Sequence, residues 1–467
     1  MSHFVLNNMP VETSSSDGMV LLDFLRKEKQ LIGTRAACRE GDCGSCMVLS
    51  GEFKQGQIHY RPVNSCLLPL GLVNRRHIVT IEGISSDCLN PVQLALLEQG
   101  GIQCGFCTPG LVMAITAFFL TSSTSEQSLA IDAVSGNLCR CTGYAGIKRA
   151  LSVLCQQFDL ANSAAENRIN DLINWKILPT WFADIPKQLN QLSTTEKKPA
   201  SDNSPIKVAG GTDLWVQHAQ QLADQPLEFI DSVENITLKQ QRCTITATTR
   251  IETLRLSPVM QNLFVNIEND FKLICSLPIR LQATVGGNLV NASPIGDLSV
   301  FFLALDATLI LQSKQDQRSL PLRQFFKAYK QIDLQADEQL QTIEFFYPDS
   351  QLNFSFEKVC KRTHLDIASV NSAMLIETQA DQIKTIHISA GGVSAIPLYL
   401  METCLFLQDK MITAAVIKQA LNIAQTEINP ISDSRGSAEY KHLLFKQLLT
   451  AHFLKLLPDL LQWEDLR

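Results

Sequence analysis

Eight of the nine cysteines between positions 38 and 141 constrain this chain more than any other feature. They fall into two groups, Cys38, Cys43, Cys46 and Cys66, then Cys104, Cys107, Cys139 and Cys141. The N-terminal stretch MSHFVLNNMPVETSSSDG has no basic segment followed by an apolar run, so it does not read as an export signal. Without export, clustered thiols read as metal or cofactor ligands rather than disulfides. The other six cysteines (Cys88, Cys155, Cys243, Cys275, Cys360 and Cys404) are scattered. They are expected to behave as small hydrophobes.

The first group has the spacing C-x4-C-x2-C in ACREGDCGSC, with Cys66 twenty residues beyond Cys46. This is the plant-type [2Fe–2S] ligand pattern. Four thiolates on two irons need a loop that wraps the cluster with its amides turned inward. Gly41 and Gly44 allow the backbone angles and close approach of such a wrap. A structural zinc site favours paired short spacings, often with histidine, and a redox CxxC needs no third or fourth cysteine. The iron–sulfur reading is therefore preferred.

The second group reads CxxC in QCGFCTPG and CxC in GNLCRCTGY, both at expected helix ends. By itself it leaves zinc open. Beside the first motif, a second [2Fe–2S] site is the better reading. Thr108 and Pro109 mark a helix start whose dipole would favour thiolate at Cys107.

At 467 residues the chain exceeds one ordinary core. Hydrophobic content of 45% and 18% charged residues are globular values. A net charge of −6 and the lack of a Lys/Arg block argue against nucleic acid, and the apolar run LVMAITAFFL is too short to span a bilayer. Residues 3–82 read as short strands around one helix at 19–28, and 84–160 as a helical bundle with Ile147, Leu151, Leu154 and Phe158 on one face. The polar stretch 191–205 reads as a linker, with mixed strands and helices after it and leucine-rich helices at the end. The eight histidines show no HExxH spacing, and there is no P-loop or serine nucleophile elbow.

The stretches GTRAACREGDCGSC, QCGFCTPG and GNLCRCTGY resemble the iron–sulfur region of the xanthine dehydrogenase/aldehyde oxidase family of molybdenum hydroxylases, over about 150 residues. The resemblance implies an α+β multidomain chain. Its parts are a β-grasp ferredoxin domain (1–83), a four-helix [2Fe–2S] domain (84–160), a connecting segment (161–205), an α+β FAD-binding domain of the PCMH type (206–348) and an α+β flavoprotein C-terminal domain (349–467). It carries Cys38, Cys43, Cys46 and Cys66 over to the cluster nearer the flavin. Cys104, Cys107, Cys139 and Cys141 go to the cluster nearer the molybdenum cofactor.

VAGGTDL at 208–214 could cradle a phosphate, although a plain turn explains it equally well. ATVGGNLVNASPIGDLS at 283–299 is a second glycine-bearing stretch, and no GxGxxG occurs. The pair resembles the FAD-binding domain of the same family. Carried over, this implies FAD contacts from Lys207, Val208, Ala209, Gly210, Gly211, Thr212, Asp213 and Leu214, then Thr284, Gly287, Asn288 and Asp297. An aromatic that packs on the flavin in some members would fall near Ile274, a departure that bears on the flavin environment. Arg362 and Asp366 match a charged motif close to the flavin, with an ordinary solvated turn as the alternative.

The chain ends where the family's molybdenum segment would begin. The resemblance therefore implies a small subunit without catalytic residues of its own, paired with a large molybdenum-cofactor subunit, as a dimer of heterodimers in the cytoplasm. Two [2Fe–2S] clusters would relay electrons from that partner to FAD and then to NAD+, in the oxidation of hypoxanthine and xanthine to urate. Aldehyde, nicotinate or another N-heterocycle is the alternative substrate class, and a stand-alone iron–sulfur flavoprotein reductase is the alternative of another kind.

Overall fold

The computed structural model describes residues 2–85, 88–192, 205–347 and 352–466. Most of the polar stretch 191–205 and the 348/349 boundary lie outside the described residues. The chain forms two compact units, one of Met1–Ile230 with Ser276–Gln282, the other of Asp231–Cys275 with Ala283–Arg467. The segment expected as one flavin domain therefore contributes to both.

The first unit opens with a five-stranded mixed sheet. Its strands are β1 (Ser2–Leu6), β2 (Met9–Thr13), β3 (Met47–Lys54), β4 (Gln57–Asn64) and β5 (Arg76–Val79), in the order β2-β1-β5-β3-β4. β1 and β5 run parallel, and the other neighbours antiparallel. A helical turn at Leu21–Asp23 continues as a π turn through Glu28 and lies on one face of the sheet. Leu21, Phe24 and Leu25 pack there with Phe4, Val48, Val63 and Ile78. Strands around one helix, as residues 3–82 read, make the β-grasp arrangement that the resemblance implies.

After a short helical turn at Ile81–Ile84 come four longer helices: α1 (Pro91–Glu98), α2 (Thr108–Thr121), α3 (Gln127–Ala133) and α4 (Ala145–Gln157). Asn90 and Gln93 form a reciprocal capping box that starts α1. α2 is apolar on all sides, and its residues from Gly110 to Phe119 are all buried. A helix of that kind must sit inside a core, since no polar face remains for water. Each fully buried side chain such as Phe119 contributes about 2–3 kcal/mol. Ile147, Leu151, Leu154 and Phe158 are buried together, as their spacing indicates.

The connecting segment carries more structure than its composition suggests. Helix α5 (Arg168–Asn174) brings in the buried Arg168, whose guanidinium donates to Phe119 O (3.0 Å), Ser163 O (2.8 Å), Leu160 O (3.3 Å) and Ser122 O. It supplies donors to carbonyls that the C-terminus of α2 leaves unpaired. Beyond it, β6 (Ile206–Val208), α6 (Thr212–Leu222) and β7 (Leu227–Phe229) make a parallel βαβ unit.

The second unit holds three antiparallel sheets, the smallest a two-stranded pairing of Phe326–Ala328 with Gln331–Ile332. The first orders β8 (Ile236–Lys239), β9 (Arg242–Thr246), β10 (Thr308–Gln312), β11 (Gln317–Pro321) and β12 (Gln339–Phe346) as β11-β10-β12-β9-β8. The second orders β13 (Phe354–Val359), β14 (Val370–Gln379), β15 (Gln382–Gly391) and β16 (Leu398–Tyr399) in sequence. Helices at Met401–Leu407, Ala414–Glu427 and Ala438–Leu456 cover it, with Val370, Met374, Ile388, Leu421, Phe445 and Phe453 in their common core. Among the described residues no helix is long and apolar enough to cross a membrane.

Candidate cofactor sites

The loop 30–46 joins the first helical turn to β3 and carries three of the first four cysteines. Gly41 and Gly44 have φ of +79° and +66°, the left-handed region that glycine enters without a Cβ clash. A Cβ on Gly44 would strike the carbonyl oxygen of Gly136, and one on Gly41 would come within 2.7 Å of Ile279 and of Leu67. Both glycines are thus needed for conformation and for close approach. Asn64 Nδ2 donates to Gly41 O at 2.9 Å, and Ser65 Oγ to Cys46 O at 2.7 Å, which fixes the loop to the end of β4.

The four thiols meet in twos. Cys38 Sγ lies 3.2 Å from Cys43 Sγ, and Cys46 is hydrogen-bonded to Cys66. The amides of Glu40 and Cys43 point at Cys38 Sγ (3.5 and 3.4 Å), and that of Gly41 at Cys66. Ser45 Oγ lies 3.1 Å from Cys43 Sγ. The Cys38 hydrogen bond holds the Cys43 thiol down at about 5, while Cys38 is raised by sharing its proton with Cys43 and by burial. In the second pair, the bond from Cys66 lowers Cys46, and Cys66 is raised by the same bond and by burial. Cys46 and Cys66 are buried, whereas Cys38 and Cys43 are half-buried.

The second set is built by two helix starts. Cys107 is the N-cap of α2, and Cys139 and Cys141 lie just before α4, whose N-cap Tyr144 has φ of +64°. Tyr144 OH accepts from the Cys139 amide at 3.0 Å. Pairing recurs, with Cys107 hydrogen-bonded to Cys139 and Cys104 to Cys141. Burial and the Cys139 bond push Cys107 up to about 12. Burial opposes ionisation of Cys139, but hydrogen bonds from Thr142 and Cys107 outweigh it and lower that thiol. Cys104 and Cys141 are exposed, beside the exposed side chains of Phe106 and Tyr144.

The two sets are joined directly. The Leu138 amide donates to Cys43 O at 3.0 Å, and Asn137 Nδ2 to Gly44 O at 3.1 Å. Gly110 of α2 lies against the same Gly44 carbonyl.

Of the residues expected at FAD, Lys207 to Leu214 span the end of β6 and the start of α6. Gly211 is the N-cap of α6 with φ of +71°, and a Cβ there would meet the Trp215 ring at 2.8 Å. A helix start of this kind turns its first amides outward along the axis, the setting in which a phosphate is held. Val208 and Trp215 share a core with Cys46, Cys66 and Leu67.

In the second unit, Thr284 caps the helix Val285–Val290 by accepting from the Gly287 amide at 3.1 Å. Gly287 is exposed, with only Thr284 Oγ1 near the place of a Cβ. Asn288 Oδ1 is a buried acceptor with no protein donor. Asp297, expected to hydrogen-bond FAD, already has both carboxylate oxygens engaged. Lys358 Nζ donates to Oδ2 at 2.8 Å and Asn371 Nδ2 to Oδ1 at 2.6 Å. Ile274 is buried, and Arg362 and Asp366 bond to one another through the Arg362 amide at 3.0 Å.

Four family models match this chain: the 2Fe-2S iron-sulfur cluster binding domain over 4–70, the [2Fe-2S] binding domain over 80–152, the FAD binding domain in molybdopterin dehydrogenase over 182–346 and the CO dehydrogenase flavoprotein C-terminal domain over 355–456. The chain carries two [2Fe–2S]-binding domains and an FAD-binding domain. Their order matches the small-subunit architecture of the molybdenum hydroxylases.

Among curated relatives, the xanthine dehydrogenase/oxidase of Felis catus is 26% identical over 84% of this chain and 34% of its own length. The xanthine dehydrogenase of Oryza sativa subsp. japonica is 28% identical over 93% of this chain and 38% of its own. The chain thus spans about a third of the length of these relatives. A solved carbon monoxide dehydrogenase chain from Hydrogenophaga pseudoflava superposes with a TM-score of 0.50 at 23% identity, covering 53% of this chain and 87% of that one. That likeness concerns the fold.

The residues present fit the clusters. Among the described residues the thiols come in twos, and no three or more His, Cys, Asp and Glu side chains close around one metal-sized point. Two thiolates per iron is the ligand count of each iron in a four-cysteine [2Fe–2S] cluster, and amides aimed at the sulfurs offset its negative charge. For FAD, the open face at Gly287 and the unpaired Asn288 acceptor are the features that fit. Sequence reasoning missed Lys358 and Asn371, the partners of Asp297. Only proximity in the folded sheet brings them to it.

Proposed function

We propose that this chain is the electron-transfer subunit of a molybdenum hydroxylase of the xanthine dehydrogenase type. The observation that carries the reading is the pair of four-thiol sets bridged by the Leu138–Cys43 hydrogen bond. When bound, the clusters supply one-electron carriers and FAD exchanges between one-electron and two-electron chemistry, which hydride transfer to NAD+ requires.

The chain's own residues do the holding. Cys38, Cys43, Cys46 and Cys66 would ligate one cluster, and Cys104, Cys107, Cys139 and Cys141 the other. Burial of Cys46 and Cys66 keeps water from their half of the first set. Lys207 to Leu214 would take the FAD pyrophosphate on the start of α6, with Thr284, Gly287 and Asn288 giving further contacts. Asp297 would act with its charge already balanced by Lys358.

Exposure of Cys104 and Cys141 beside Phe106 and Tyr144 supports a large molybdenum-cofactor partner seated over the second set. The domain limits inferred from sequence, a dimer of heterodimers, a cytoplasmic site of action and NAD+ as acceptor complete the reading. Related substrates, including the carbon monoxide of the superposed structure, are the second reading, supported by that structure's fold.

The test is purification of the complex from its host under low oxygen, with assays of iron, sulfide, FAD and molybdenum and of xanthine oxidation by NAD+. About four irons with one FAD and xanthine turnover are expected. Zinc in place of iron, or absence of flavin, sinks the reading. Turnover of another substrate with none of xanthine or hypoxanthine sinks only the substrate.

A further inference from the structure

Gln282 closes the segment Ser276–Gln282, which belongs to the first compact unit. Its side chain is buried, with the residue 4% exposed. Its Nε2 donates to Leu67 O and to Gly210 O, each at 2.9 Å. A side-chain amide nitrogen has two hydrogens, and both are used here. Leu67 follows Cys66, and Gly210 lies inside the loop 207–214. One side chain therefore grips the backbone beside a thiol of the first set and the backbone of the loop assigned to FAD.

The rest of the segment braces the same region. Arg61 Nη1 donates to Leu281 O at 2.7 Å. Ile279 packs where a Cβ on Gly41 would sit, and Ser276 and Pro278 lie against Gly136, three residues before Cys139.

We propose that Gln282 is a positioning residue that sets the register of the first cysteine set against the flavin loop. The proposal rests on the reading of Cys38, Cys43, Cys46 and Cys66 as cluster ligands and of 207–214 as an FAD contact. A trans peptide is planar with its C=O and N–H on opposite sides. Holding the Gly210 carbonyl towards Gln282 turns the Gly211 amide the other way, at the start of α6. The Leu67 carbonyl and the Leu68 amide are fixed by the same logic. Two buried carbonyls facing one side chain call for a donor, so a glutamine fits and a carboxylate does not.

The test uses the holo-complex with Gln282→Met, which keeps the length and loses the donors, and Gln282→Glu, which keeps the shape. Q282M is expected to retain its iron, to bind FAD about tenfold more weakly and to shift the electron paramagnetic resonance signal of one cluster while the other stays unchanged. Q282E, whose carboxyl donates only when protonated, is expected to regain FAD affinity as pH falls, a dependence absent from Q282M and from the wild type. This second variant still decides the matter if Q282M fails to fold. Wild-type FAD affinity and both signals unaltered in Q282M, or FAD affinity in Q282E without pH dependence, overturns the role of Gln282 alone. A wild-type complex without FAD or without iron overturns the reading of the site, and this proposal with it.

Discussion

The backbone amide of Leu138 donates to the carbonyl oxygen of Cys43 over 3.0 Å. Cys43 belongs to the first thiol set, and Leu138 is bonded to Cys139 of the second. Two sets formed by separate elements are therefore joined through one hydrogen bond and a few covalent bonds. Their spacing depends on the contacts of loop 30–46 with Asn137 and Leu138 before α4 and with Gly110 at the start of α2.

Each cysteine set should report separately. Cys141→Ser alters an exposed thiol and is expected to remove about two of about four irons and one of two paramagnetic resonance signals, with little loss of stability. Cys66→Ser alters a buried thiol, so loss of its two irons should come with a lower thermal midpoint. Iron analysis with spectra of both variants checks this, and loss of all four irons in C141S would contradict independent sets.

Gly44 and Gly56 separate conformation from contact. Both have positive φ, +66° and +83°, but nothing lies within 4 Å of a Cβ on Gly56, while one on Gly44 meets Gly136 O and Asn137. Gly56→Ala should cost about 1 kcal/mol from backbone strain alone. Gly44→Ala should cost clearly more and release the first cluster. Urea midpoints beside iron content measure the difference.

His77 makes stability depend on acid. It is buried between Tyr60 OH (2.6 Å from Nδ1) and Asn7 O (2.7 Å from Nε2). Burial lowers it to about 4 against an ordinary 6.5. The unfolded chain therefore takes up the proton first. Stability is full above pH 6.5 and falls as pH drops towards 4, by about 3 kcal/mol for this group. Unfolding by urea from pH 7 to 4 should show a shallower loss in His77→Gln. An unchanged slope would remove His77 from the account.

Asp297 and Lys358 form a pair whose side chains are 12% and 1% exposed. Burial alone would lower Lys358, but Asp297 outweighs it and raises the amine. Asp297→Asn leaves a buried cation without its counter-charge, at a cost of about 3–5 kcal/mol. The double change Asp297→Asn with Lys358→Met should recover much of that loss. Additive costs in the double-mutant cycle would show that the two do not couple.

The cysteine sets were legible because ligand spacing is local in sequence, and α2 because Thr108 and Pro109 mark a helix start directly before its apolar run. The pairing of Cys38 with Cys43 and Cys46 with Cys66 was not, since spacing states membership of a set and not who touches whom. Arg168 lies in a segment expected only to connect domains, yet it is buried against the end of α2. Asp297 is expected from its motif as an FAD contact, and its partners within the chain lie 61 and 74 residues away. Ser276–Gln282 belongs by sequence to the flavin region but joins the first unit through Arg61, Leu67 and Gly210. Such long-range bonds leave no periodicity to read.

Burial also orders the two sites in time. Cys46 and Cys66 are enclosed once β3 and β4 pair and loop 30–46 is pinned by Asn64 and Ser65. Iron reaches them fastest before or during that closure. Cys104 and Cys141 stay at the surface of the finished fold and can be served afterwards by a carrier that docks there. A chain folded without iron and then given iron and sulfide should fill its second set well before its first. Biogenesis of this subunit is on that account a two-stage process, one stage coupled to folding and one left open until a partner covers it.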